Sequence, residues 1–250
     1  MSEDISALVR RVDEDRWLAS RFAPESARAR LVALYALHYE IAHAAEAARE
    51  PGLGAIRLQW WRDELETISQ GYLPSSHPAL AAIMQTSPGG AFAWSLQGLV
   101  DAHMADLEQA PFAAFEDMER YIDATAGHLM RAAVKACGVS LAAEAEHAFL
   151  RDAARAWGLT GLMRAASHWQ MRGRTLLPNG ARLEDMQARA RAAYEAARPA
   201  ARLMKAEAFP AFGYVALVPG YLRALAHGRI KTPLLGRKAL LIGASASGRI

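Results

Sequence analysis

Glu40, His43 and Glu46 recur at three-residue steps in one stretch of the sequence. On a helix, neighbours in such a row touch. Imidazole and carboxylate groups suit a Zn²⁺ or Mn²⁺ ion. Alternatively they satisfy one another as a hydrogen-bonded polar lining. A second stretch carries Arg164, His168, Arg172 and Arg174, with Gly173 between the last two. Guanidinium forks donate paired hydrogen bonds to phosphate oxygens, so these arginines are candidates for holding a phosphate or a lipid head group. The same charges would equally complement the dipole at a helix C-terminus.

These side chains must be positioned by helices. Ala, Leu, Arg and Glu dominate the 250 residues, and these are strong helix formers. Stretches of alternating β-branched residues are absent. Leu58, Trp61, Leu65 and Ile68 recur on one helical face. Trp60 lies about 100° round from that face, a position for core or interface. Pro51-Gly52-Leu53-Gly54 is expected to end the first long helix, and Ser87-Pro88-Gly89-Gly90 to form a loop. A helix is expected from about Ser140 to Trp169, then Leu183 to Ala206, Phe209 to His227 and Leu234 to Ile242. Residues 1–242 read as one all-α domain, with Gly243 to Ile250 as a mobile tail.

Composition limits the function classes. Hydrophobic residues make up 52% and charged residues 22%, enough to bury a full core. The single Cys137 excludes an internal disulfide framework and reads as a small apolar core position. Four of the 29 basic residues are Lys and the rest are Arg. They are scattered, with no basic run to suggest nucleic acid as a partner. No secretory signal is visible, and no apolar run reaches the ~18 residues of a spanning helix. The expected location is the cytoplasm, with peripheral contact at a membrane surface. The most apolar segment, Phe209 to Val218, would line a cavity or meet a membrane surface.

The order of motifs carries a resemblance. Phe22-Ala23-Pro24 runs on to Arg28, and Leu34-Tyr35-Ala36 follows. Tyr121 precedes Ala126-Gly127 by five residues, and Leu159-Thr160 leads to Arg164 and then to Arg172-Gly173-Arg174-Thr175-Leu176-Leu177-Pro178. Together these resemble the squalene/phytoene synthase family from the start of the chain to at least Pro178. The resemblance implies a single-domain helical bundle of the isoprenoid-synthase fold around a central cavity. It also implies head-to-head joining of prenyl diphosphates, with Mg²⁺ held by aspartate-rich motifs on facing helices.

Those motifs fall on Ala42-His43-Ala44-Ala45-Glu46 and Ala165-Ala166-Ser167-His168-Trp169, where one acid remains. Without Mg²⁺, the departing diphosphate would lose its main electrostatic stabilisation. A narrower branch has the same losses: the phytoene-synthase-like assembly factor of mitochondrial respiratory complex I and its bacterial relatives. Glu40, the Arg49-Glu50 pair, Arg57-Leu58-Gln59-Trp60-Trp61, and Arg164-Ala165 with His168 and Arg172 resemble that branch.

The resemblance implies a non-catalytic binding or assembly protein with no cofactor. Its expected partners are an isoprenoid or lipid phosphate and a subunit of a membrane complex. The alternative is a prenyl diphosphate transferase with an altered site, using Mg²⁺, for which Tyr121 and Glu46 are the catalytic candidates. Tyr121 and Tyr35 match cavity tyrosines, which would contact a substrate or simply pack with a hydrogen-bonded hydroxyl. His168 would face Glu40, His43 and Glu46. His38 and His103 show no ligand spacing and receive no role.

Overall fold

The computed structural model describes residues 2–46, 51–74, 76–87, 96–107, 110–173 and 175–250. Among the described residues every regular element is helical. The longer elements are α1 (Ser2–Val12), α2 (Glu14–Ser20), α3 (Glu25–Glu46), α4 (Pro51–Ser69), α5 (Pro78–Thr86), α6 (Gln97–His103), α7 (Phe115–Ile122) and α8 (His128–Ala136). After them come α9 (Glu144–Arg164), α10 (Ala166–Gln170), α11 (Leu183–Ala200), α12 (Phe209–Phe212), α13 (Val218–Leu225) and α14 (Leu234–Ser247).

Helix α3 is the axis of the bundle. Leu31 to Leu37 are all buried, so this helix is enclosed on every side rather than on one face. Helices α1, α2, α4, α5, α6 and α8 pack around it. Leu58, Trp61, Leu65 and Ile68 form the inner face of α4, as their spacing predicts. Trp60 is partly exposed and meets Trp61 edge-on, with ring centroids 4.9 Å apart. Helix α9 packs against α11, and Arg155 clamps it to α7 and the turn beyond. That guanidinium donates to both Asp123 oxygens, at 2.9 and 2.6 Å, and to Glu119 at 2.9 Å.

Carboxylates fix several helix starts. Asp13 Oδ1 accepts from the Arg16 backbone N–H and caps α2. Asp117, Glu146 and Asp185 each accept from a backbone N–H three residues earlier, at the starts of α7, α9 and α11.

Several boundaries differ from the sequence reading. Pro51 opens α4, because the first turn of a helix tolerates a missing N–H. Helix α9 starts at Glu144, where Glu146 supplies the cap, and it ends at Arg164; a break at Ala165 separates it from α10. Helix α11 ends at Ala200, just after Pro199. The Phe209–His227 helix is three pieces, with a 3₁₀ stretch over Gly213–Leu217. Its apolar residues are core, which removes the reading of this segment as a membrane-facing surface. The expected mobile tail is helical instead. Helix α14 continues to Ser247, Gly248 closes it in the left-handed conformation, and Ile250 is buried. Arg49, Glu50 and Pro88-Gly89-Gly90 lie outside the described residues.

The tightest helix contact tests this packing. A Cβ at Gly158 would sit 2.5 Å from Ile122 Cγ2, whereas one at Gly161 meets nothing within 4 Å. Ile122 is β-branched and cannot swing aside. Gly158→Ala is therefore expected to cost about 1–3 kcal/mol through overpacking. Gly161→Ala is expected to gain up to about 1 kcal/mol from helix propensity. Thermal melts of the two variants should move in opposite directions.

Candidate functional site

The two altered motif stretches meet at the end of α3. Glu46 Oε2 lies 3.7 Å from His168 Nε2 and 3.9 Å from Arg172 Nη1. Arg172 Nη1 also donates to the Glu46 carbonyl at 3.2 Å. One guanidinium thus serves both the last side chain and the last carbonyl of α3, a favourable place for a cation. Burial raises the Glu46 pKa above the ordinary carboxylate value; Asp106 adds to this, while His168, Arg172 and His43 oppose it.

A second polar cluster lies close by. Asp106 Oδ2 sits 2.6 Å from His103 Nδ1, and Asp106 Oδ1 accepts from the Tyr121 hydroxyl at 2.7 Å. The His103 and Asp106 side chains are only 5% and 6% exposed. An N–H at Nδ1 directed to the carboxylate leaves Nε2 as the basic nitrogen. That Nε2 is buried without a hydrogen-bond partner among the described residues. The His38 ring packs against His103 with centroids 5.4 Å apart. Burial, then His103 and Arg16, hold His38 well below the ordinary imidazole value. The sequence reading gave His38 and His103 no role, although the three-residue step from His103 to Asp106 is the signal that pairs those two.

The turn after Tyr121 is unusual. Asp123–Gly127 is a π-helical segment, and Thr125 Oγ1 returns a hydrogen bond to the Tyr121 carbonyl at 2.8 Å. Such single wide turns often sit at functional positions.

Other candidates are dispersed. Arg164 joins a different cluster: its guanidinium lies 3.8 Å from the Tyr221 ring centroid, and its Nε donates to the Ile230 carbonyl at 3.1 Å. There Asp15 accepts from Tyr221 and Arg237, both at 2.6 Å, and Arg164 approaches to 3.6 Å. Burial and the neighbouring Asp15 push the Tyr221 phenol up to about 12.

Tyr35 lies deeper, against a buried cation. The Arg16 guanidinium is 5.8 Å from the Tyr35 ring, 5.9 Å from Trp157 and 5.1 Å from Tyr214, and Asp13 pairs with it at 2.6 Å. Glu40 lines a cavity of about 370 Å³ with Ile5, Leu8, Arg11 and His77, so it does not join Glu46. His43 is exposed and stacks on Tyr39, with ring centroids 5.5 Å apart. Arg174 lies outside the described residues. Burial pushes the Cys137 thiol up to about 12, the opposite of an activated nucleophile.

Mg²⁺ demands several hard oxygen ligands at about 2.0–2.1 Å. The facing motif positions offer one carboxylate, with an imidazole and a guanidinium set against it, and Trp169 turned into the protein. These residues do not fit such an ion. Among the described residues, no group of three or more His, Cys, Asp or Glu side chains is arranged to hold a metal.

Residues 9–181 match the family model for squalene/phytoene synthase. The chain belongs to the squalene/phytoene synthase family. Relatives within reach of sequence comparison carry a different kind of name. The mouse (Mus musculus) NADH dehydrogenase (ubiquinone) complex I assembly factor 6 is 23% identical over 240 residues, covering 87% of this chain and 72% of that protein. The human (Homo sapiens) protein of the same name is 23% identical over 171 residues, covering 68% of this chain and 51% of its own length.

The family fold is evident in a solved dehydrosqualene synthase in complex with ligand. That structure superposes with a TM-score of 0.78 at 14% identity, over 98% of this chain and 95% of the other. This squalene/phytoene synthase member therefore has the isoprenoid-synthase helical fold expected of it.

The imidazole cluster gives a pH signature. A base whose pKa is depressed on folding contributes stability that is present above its unfolded value and lost as pH falls through the folded value. The melting temperature of this family member is expected to drop below about pH 6.5. His38→Asn should flatten part of that drop. Calorimetric melts of the two proteins across this range check it; parallel curves would mean that His38 does not titrate this way.

Proposed function

We propose that this chain is a non-catalytic member of the squalene/phytoene synthase family that serves in assembly of a respiratory complex I-type NADH dehydrogenase. It works peripherally at the inner membrane. The observation that carries this reading is the closure of Glu46 onto His168 and Arg172. The one acid left in the two motif stretches faces an imidazole and a guanidinium of the protein itself.

The bundle interior supports the same reading. Prenyl transfer passes through carbocations, which need negative charge or free ring faces nearby. Here the faces of Tyr35, Trp157 and Tyr214 already serve the Arg16 guanidinium. A second cation about 6 Å from that charge would be repelled by about 3 kcal/mol at an effective dielectric of about 20. The names of the mouse and human relatives supply the assembly role. Among the described residues, no helix is long and apolar enough to cross a membrane, which accords with peripheral attachment. An isoprenoid or lipid phosphate remains the ligand class this reading favours.

Purified protein incubated with farnesyl or geranylgeranyl diphosphate and Mg²⁺ or Mn²⁺ is expected to release no pyrophosphate. Deletion of the gene from its host is expected to abolish complex I accumulation, and an Arg172→Ala/His168→Ala double variant should restore it poorly. A condensed product whose formation is lost in Glu46→Gln would replace this reading with a prenyl transferase.

A further inference from the structure

The C-terminal region has a charge pattern unlike the rest of the chain. No Asp or Glu occurs after Glu207, whereas Arg223, Arg229, Lys231, Arg237, Lys238 and Arg249 all do. The chain before that point is net acidic, so the positive balance of the whole protein resides in its last helices.

These cations converge on a groove. Helices α13 and α14 enclose a cavity of about 350 Å³ lined by Arg223, His227, Arg229, Lys231 and Thr232, with Leu240 at its apolar edge and no acid in its wall. Arg237 also reaches this wall but is held by Glu14 and Asp15. Among the described residues, no carboxylate pairs with Arg223, Arg229 or Lys231. The groove is thus a concentrated positive field, with Arg223, Arg229 and Lys231 unmatched by any carboxylate among the described residues.

The groove opens beside an unusual apolar surface. Leu234, Arg237, Leu241 and Ala244 face inward on α14. The rest of the helix is exposed: Leu235 is 80% exposed, Ile242 61% and Leu240 47%, with Ile230 at 47% just before it. At about 100° per residue, Leu235, Lys238 and Ile242 share one flank, while Gly236 and Leu240 border the groove on the other. Small residues, Ala239 and Gly243, form the ridge between. A flat contact along that ridge would reach both flanks.

We infer that α14 and the α13–α14 groove dock this protein on an anionic phospholipid bilayer. The groove takes lipid phosphate oxygens, and Leu235, Leu240 and Ile242 enter the headgroup–acyl boundary. Basic charge beside exposed aliphatic side chains is the combination that binds such surfaces. An acidic protein partner would meet the charge but not the unmatched aliphatic flanks. The inference refines the peripheral attachment in the proposed function by assigning its surface and lipid class.

The test is sedimentation of full-length protein with vesicles of phosphatidylcholine alone or mixed with phosphatidylglycerol. Binding is expected to the mixed vesicles only, and to weaken as salt rises. Arg229→Gln/Lys231→Gln should lower it by roughly thirtyfold, the factor supplied by two surface-facing cations. Leu235→Ser/Ile242→Ser should weaken it while keeping the salt dependence. All four side chains are exposed, so circular dichroism should be unchanged.

Equal binding to both vesicle types, or variants that bind like the unaltered protein, would overturn the inference. So would an absence of vesicle binding with inorganic phosphate or pyrophosphate held at the groove, which would make it a soluble-anion site. Loss of vesicle binding in a protein that still supports complex I accumulation removes this surface alone. Prenyl transfer by a protein that binds vesicles removes the assembly reading alone.

Discussion

A guanidinium in the middle of a helical bundle is the constraint around which this molecule is arranged. Arg16 cannot discard its proton, so its charge must be met where it lies. Asp13 meets it from the turn that starts α2, and the ring faces of Tyr35, Trp157 and Tyr214 enclose it from α3, α9 and the 3₁₀ stretch after α12. Four separate parts of the chain are thereby committed to one charge. The interior is polar at its centre and aromatic around that centre, which differs from a plain apolar tunnel. The hydroxyl of Tyr35 is buried there without a hydrogen-bond partner among the described residues.

From that centre the polar groups run outward along α3. His38 lies against His103, His103 against Asp106, and Asp106 against Tyr121; Glu46 then faces His168 and Arg172 at the helix end. Each member faces another group of the protein, and the sequence offers few carboxylates here to compete for a metal. The wide turn at Asp123–Gly127, locked by Arg155, sets where Tyr121 meets Asp106. The family scaffold is retained while the polar side chains within it are turned toward one another.

Periodicity made the helices legible, because apolar steps of three and four residues report burial directly. The inner face of α4 is the clear case. The meeting of Glu46 with His168 came from the resemblance, since nothing local links residues so far apart. Glu40 misled because a three-residue step drifts round the helix and carries it to another face, toward α1 and α5. The break at Ala165 left no trace in propensity, as Ala and Arg favour helix on both sides. Arg16 escaped notice for a related reason: a charged residue directly after three acids reads as surface, and only tertiary packing buries it.

One feature bears on how the chain reaches this state. Asp15 is buried, and its carboxylate is held by Tyr221 and Arg237, both more than two hundred positions later. During synthesis the second helix emerges long before its counter-charges do. Until Tyr221 and Arg237 have been synthesised, that anion lacks the partners that hold it in a dry interior. Helices α13 and α14 thus latch α2, and the bundle seals around Asp15 only once these distant parts of the chain have met.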